Sequence, residues 1–171
     1  MELEPRFSRD EIAEAVARIA EDISRDHPEG DLLLVGILRG SFVFLADLVR
    51  ALTVEAEVDF LRARSYGAGM TTSGAVEITK DIETDVTGRD VIIVEDILDT
   101  GLTLEVVRKR IEAGHAARVQ TCALLVREGS APPDYMGLWA PPGFVVGYGI
   151  DYAERYRGLP EIWSIKGTEH L

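Results

Sequence analysis

The chain has 171 residues, 46% of them hydrophobic and 28% charged, the balance of one globular domain with a sizeable core. Thirty acidic residues against eighteen basic ones leave a net charge of −12, which repels polyanions and disfavours extended nucleic-acid binding. The longest apolar runs, near residues 32–38 and 42–48, are too short and interrupted to span a bilayer, and no basic flank leads into a hydrophobic segment at the start.

These features predict a cytoplasmic protein that neither enters a membrane nor binds nucleic acid. The one cysteine, Cys122, has no intrachain partner, and its neighbours Ala123, Leu124 and Leu125 mark it as a small core residue rather than a nucleophile. Ser8 with Glu11 forms a capping box, and Ile12, Val16, Ile19 and Ile23 follow at helical spacing, so residues 9–26 are predicted as an amphipathic helix. A turn at Pro28-Glu29-Gly30 ends it. Residues 32–37 read as an apolar strand, residues 38–41 as a tight turn and residues 42–52 as an apolar helix, which makes one βα unit. A second strand is expected over residues 56–64, with Val58, Phe60 and Leu61 inward. A glycine-rich loop at 66–74 and a β-ribbon strand at 76–80 follow, and Thr87-Gly88 punctuates the chain.

Residues 91–94 are all β-branched and apolar without polar alternation, the pattern of a central parallel strand buried on both faces. That run stops at Glu95 and Asp96, and Asp99, Thr100, Gly101 and Thr103 open the next helix at 102–112, for which Gly114 is the expected C-cap. Parallel sheets bind ligands at the carboxyl ends of their strands, where backbone N–H groups and a helix dipole cradle an anion such as a 5′-phosphate. Residues 118–126 form another strand, and prolines at 132–133, 141–142 and 160 break up the last third. The alternation of strands and helices predicts one α/β domain over residues 1–171 with a mainly parallel sheet.

The thirteen residues 91–103, a hydrophobic strand followed by two acids and Asp-Thr-Gly-Leu-Thr, closely resemble the ribose-phosphate motif of the type I phosphoribosyltransferases. The resemblance implies that family's fold, flanking helices and a small hood. It also implies that Glu95, Asp96, Asp99, Thr100, Gly101, Leu102 and Thr103 bind phosphoribose. Arg39-Gly40-Ser41 is similar to the family's pyrophosphate loop, with a cis peptide before the glycine, and Ser65 and Tyr66 to its mobile loop. The block Phe144-Val145-Val146-Gly147-Tyr148-Gly149-Ile150-Asp151-Tyr152, with Arg157 beyond it, narrows the resemblance to the 6-oxopurine members.

That implies a glycosyltransferase of purine salvage, moving phosphoribose from phosphoribosyl pyrophosphate to hypoxanthine or guanine to give IMP or GMP. In that reading Asp99 serves the base as acid or base catalyst, while Arg39, Gly40, Ser65, Tyr66 and Arg157 bind pyrophosphate. Arg127, Phe144, Val145 and Asp151 bind the purine, and Glu95, Asp96 and Asp151 hold Mg²⁺. A homodimer or homotetramer is expected. A preference for xanthine or a pyrimidine is the alternative within the class, the pyrimidine disfavoured by the block at 144–151. An RNA-binding regulator on the same fold would need a basic face. Two positions depart from the family pattern. Arg127 stands where Lys usually bonds the purine 6-oxygen, and Leu102 where some relatives have Lys, which leaves base preference open and one phosphate contact missing.

Overall fold

The structure, a computed structural model, describes residues 2–66 and 75–168, and the side chains of Ser65 and Tyr66 lie outside that description. The expected loop at 66–74 therefore falls almost wholly beyond the described residues. Strand β1 (Leu3–Phe7) leads into helix α1 (Arg9–Asp26), whose capping box forms as expected: the Ser8 N–H donates to Glu11 Oε2 at 2.8 Å and the Glu11 N–H to Ser8 Oγ at 3.3 Å. Its apolar stripe, Ile12, Val16, Ile19 and Ile23, is buried.

Next come β2 (Leu32–Leu38), α2 (Phe42–Ala51), β3 (Ala56–Tyr66), β4 (Ala75–Lys80), β5 (Asp90–Leu98), α3 (Leu102–Glu112) and β6 (Arg118–Val126). The strands β7 (Tyr135–Trp139), β8 (Val145–Val146) and β9 (Ile162–Ile165) complete the chain. Six strands form one sheet in the order β4-β3-β2-β5-β6-β7, parallel except for β4. A smaller antiparallel sheet, β1-β9-β8, joins the two ends of the chain.

The large sheet is covered on both faces, which is why its central strands lack polar alternation. Leu32, Leu34, Ile92 and Val94 pack with α1 and α2, while Leu33, Val35, Val91 and Ile93 pack with α3 through Val107 and Ile111. Each such aliphatic side chain contributes roughly 2 kcal/mol when fully withdrawn from water. Cys122 joins the first of these clusters, as its neighbours predict.

Three local expectations need correction. In β3 the buried residues are Asp59 and Leu61, while Val58 is 37% exposed. Asp59 tolerates the position because the backbone N–H groups of Phe60, Glu83 and Thr84 donate to it. Burial alone would raise its carboxyl, but those three donors outweigh burial and hold it below the ordinary value. After α3 the left-handed residue is His115, at φ 63°, rather than Gly114, which instead lets the chain pass Val86 closely. Finally, β5 runs on to Leu98, so Glu95 and Asp96 lie within the strand and not beyond it.

Candidate active site

Strand alternation sends the two consecutive acids to opposite faces of β5. Glu95 lines a polar cavity of about 240 Å³ with Asp99, Thr100, Gly101, Thr103 and Leu104. Its Oε2 is buried without a hydrogen-bond partner among the described residues. Burial, reinforced by the charge of Asp96, pushes the Glu95 carboxyl up to about 8. The cavity's far wall is the start of α3, entered through Gly101 at φ 79°. The Leu102 N–H faces Thr100 Oγ1 at 3.4 Å, and the exposed Leu102 side chain adds no cation. Asp99 is exposed, its carbonyl held by the Ser130 hydroxyl.

Asp96 points the other way, against the turn after β2. A Cβ built on Gly40 would lie 1.8 Å from Asp96 Oδ2, so only glycine lets that backbone sit on the carboxylate. Burial pushes Asp96 up to about 6, with Arg157 opposing the rise and Asp151 adding to it. The cis peptide of this turn is Leu38-Arg39, one bond earlier than the position before Gly40. Ser41 Oγ donates to the Ile37 carbonyl at 2.7 Å and closes the turn.

The turn also meets the segment after β8. Gly149, at φ 95°, lies so close to Gly40 that a Cβ there would be 2.5 Å from the Gly40 carbonyl oxygen. Over this contact sits an ionic cluster: Arg39 Nη1 donates to Glu154 Oε2 at 2.6 Å, and Arg157 Nη2 pairs with Asp151 Oδ1 at 2.8 Å and Glu154 Oε2 at 3.4 Å. Asp151 Oδ2 accepts the Glu154 N–H at 2.8 Å. The arginines expected to bind an anion thus already share a carboxylate, Glu154, which the sequence motifs did not single out. It lies three residues from each of Asp151 and Arg157, a spacing that by itself marks no site.

On the remaining side, Phe144 is 44% exposed and stands edge-to-face against Tyr152, with ring centroids 5.6 Å apart and planes at 63°. Val145 is buried in β8 opposite Ser164. Arg127, at the end of β6, donates through Nη1 to the Pro141 carbonyl and through Nη2 to the Gly143 carbonyl at 2.5 Å. Thr168, also unforeseen, accepts the Phe144 N–H at 2.9 Å. Ser65 and Tyr66 continue β3 opposite Val76 and Ala75 at the same carboxyl edge of the sheet.

The structure therefore brings Arg39, Gly40, Asp96, Asp151 and Arg157 together, places Glu95 and residues 99–103 around the adjoining cavity, and carries Arg127, Phe144 and Val145 on the neighbouring β6-to-β8 segment. Among the described residues no three His, Cys, Asp or Glu side chains converge as a metal cage. Glu95, Asp96 and Asp151 are split between the two faces of the strand.

The phosphoribosyl transferase domain family matches residues 8–153 of this chain. The chain belongs to that family. It is 45% identical over 161 residues to the hypoxanthine phosphoribosyltransferase of Escherichia coli strain K12, covering 91% of this chain and 90% of the relative. With the hypoxanthine-guanine phosphoribosyltransferase of Bacillus subtilis strain 168 it shares 38% identity over 164 residues, 94% of this chain and 91% of that one. A crystal structure of a hypoxanthine-guanine phosphoribosyltransferase from Bacillus anthracis superposes with a TM-score of 0.89 at 38% identity, covering 95% of this chain and 98% of that one. The expected family and its mainly parallel α/β fold are both borne out.

Proposed function

We propose that this chain transfers the 5-phosphoribosyl group from phosphoribosyl pyrophosphate to N9 of hypoxanthine or guanine, releasing pyrophosphate and giving IMP or GMP in purine salvage. The observation that carries this reading is the contact of Gly40 with Asp96, which puts the turn after β2 against one acid of β5 while the neighbouring acid, Glu95, lines the cavity at the start of α3. Identities of 38 to 45% with hypoxanthine and hypoxanthine-guanine phosphoribosyltransferases over nine-tenths of the chain support the same activity.

In this mechanism the N–H groups and hydroxyls of residues 99–103 hold the 5′-phosphate at the start of α3. Glu95 and Asp96 take the ribose hydroxyls. Arg39, the Gly40 backbone and Arg157 grip the pyrophosphate as it leaves C1, with Ser65 and Tyr66 closing over it. Phe144 stacks on the purine, the backbone of Val145 and Asp151 meets its edge, and Asp99 faces N7 to share its proton.

A divalent cation fits the donor set. Glu95 Oε2 is an unpartnered buried oxygen, and Mg²⁺ binds through one or two carboxylates together with substrate phosphates rather than in an all-protein cage. Mg²⁺, held by Glu95, Asp96 or Asp151, would neutralise charge on the departing diphosphate. A cytoplasmic homodimer or homotetramer completes the proposal. No helix among the described residues is long and apolar enough to cross a membrane.

The test is turnover of the purified protein with phosphoribosyl pyrophosphate, Mg²⁺ and hypoxanthine, guanine, xanthine, adenine or uracil in turn. Activity confined to the first two is expected. No activity with any base overturns the proposal, and a rank order led by xanthine or uracil overturns its substrate.

A further inference from the structure

We infer that Arg127 is a positioning residue for the aromatic platform of the base site and does not itself read the purine 6-oxygen; this rests on the phosphoribosyl transfer proposed above. The starting point is the backbone of residues 140–144. Pro141 and Pro142 have no N–H, so this turn cannot build a hydrogen-bonded ladder of its own, and its carbonyls need donors from elsewhere. The Arg127 guanidinium supplies them, one terminal nitrogen on the Pro141 carbonyl and the other on the Gly143 carbonyl. A planar fork can address two carbonyls two residues apart at once, which a lysine ammonium, as one charged point, does less well.

The opposite side of the same turn is fixed by the small sheet. Thr168 Oγ1 accepts the Phe144 N–H at 2.9 Å and donates to the Ile165 carbonyl at 2.7 Å, while the Ile165 N–H donates to the Phe144 carbonyl at 2.9 Å. Both backbone groups of Phe144 are thus engaged, and the Pro141 and Gly143 carbonyls ahead of it are held by Arg127. The Arg127 N–H itself is anchored to the Leu98 carbonyl at 2.9 Å, so the clamp is tied to the end of β5, next to Asp99. The result is a half-exposed ring held in place with its edge contact to Tyr152. An arginine committed in this way sets where the base stacks, and discrimination at C6 falls to other groups.

The experiment compares Arg127→Met, Arg127→Lys and Thr168→Val with the unaltered protein, measuring kcat and KM for hypoxanthine, for 6-chloropurine, which lacks the oxygen, and for phosphoribosyl pyrophosphate. The expected result is that Arg127→Met raises KM for both bases by the same factor, about fivefold to tenfold, the scale of a stacking contact. KM for phosphoribosyl pyrophosphate stays unchanged, and Arg127→Lys recovers part of the loss. Thr168→Val, which loosens the turn from its other side, produces the same uniform shift, and it serves if Arg127→Met does not fold. A loss in Arg127→Met confined to hypoxanthine, or base KM values left unmoved by both the arginine and the threonine substitutions, overturns the inference. Inactivity of the unaltered protein with every base would instead remove the transferase reading beneath it.

Discussion

Asp99, just after β5, and Glu95, within it, illustrate how different two acids lining one cavity can be. Asp99 is exposed, with its carbonyl pinned by Ser130, a side chain free to meet a ligand. Asp99→Ala is expected to lower kcat by about a hundredfold or more, the scale of a lost acid or base, while leaving KM for phosphoribosyl pyrophosphate nearly unchanged. Steady-state kinetics decides it, and near-normal turnover removes Asp99 from its role. Glu95, in contrast, is a buried acid pushed up to about 8 by burial and the charge of Asp96. A carboxyl with a raised folded pKa keeps a proton that the unfolded chain has already released. Stability should therefore fall as pH climbs from the ordinary value of 4.5 towards about 8. In buffer with chelator, unfolding by urea should show a loss of a few kcal/mol across that window, at about 1.4 kcal/mol for each tenfold fall in proton concentration. Glu95→Gln should flatten the profile above about pH 6, below which Asp96, raised to about 6, still contributes. An unchanged slope in that variant would place the titrating group elsewhere.

At the scale of elements, the turn between β2 and α2 is the tightest joint of the site. Gly40→Ala should disable it, since the added carbon falls 1.8 Å from Asp96 Oδ2 and the turn or the carboxylate must shift by an ångström or more. Displacements of that size cost about a hundredfold in kcat/KM when they misplace a reacting group. Kinetics on a variant whose circular dichroism spectrum matches that of the unaltered chain would test it. This turn, α1, β5 and α3 were legible in the sequence because each carries a local signal: a capping box, a β-branched run, a Thr-Gly entry, a glycine after a strand. The small sheet was not legible. β1 and β9 are short strands whose pairing partners lie at opposite ends of the chain, so no local periodicity marks them. Val58 misled for a related reason. Its hydrophobicity suggested an inward residue, but parity on β3 is set by Leu61 and by the donors waiting for Asp59. In the site, Glu154 and Thr168 escaped notice for want of a local motif. The role of Glu154 depends on a turn with left-handed residues at Ala153, Glu154 and Tyr156, which nothing in their side chains announces, and that of Thr168 on a contact with Phe144 far back in the chain.

For the whole molecule, chemistry and stability lie at opposite ends of the large sheet. The amino-terminal edge is tied by His27, buried between α1 and β2, whose Nδ1 lies 3.1 Å from Asp90 Oδ2 and whose Nε2 lies 2.9 Å from Gln120 Oε1. Arg118 bridges the same Asp90, and Tyr135 donates to Asp26 at 3.1 Å, so α1, β5, β6 and β7 share one polar network. Asp90 lies roughly 30 Å along β5 from the cradle at Asp99, at the ordinary rise of a strand. His27→Ala would leave Gln120 Oε1 without its partner and Asp90 with Arg118 alone, at a cost of about 2 kcal/mol, or roughly 4–8 °C in Tm. kcat at 25 °C should be unaffected. A variant with full thermal stability, or one whose turnover falls while the fold persists, would contradict this division.

The carboxylate shared by Arg39 and Arg157 has a kinetic consequence. A chain this acidic presents a hostile field to an incoming diphosphate, and in the proposed mechanism the grip on that ligand is pre-assembled around an internal counter-ion. On that proposal substrate must evict Glu154, and the same side chain stands ready to recapture both guanidinium groups when product departs. Glu154→Ala should therefore bind pyrophosphate more tightly, by about threefold to tenfold for an exposed competing charge, and let it go more slowly. Calorimetric titration with pyrophosphate would reveal that gain, and weaker binding would show that Glu154 organises the arginines instead of competing for them. A tether that speeds departure by holding on to the grip, not the cargo, suits a catalyst whose products are as highly charged as its reactants.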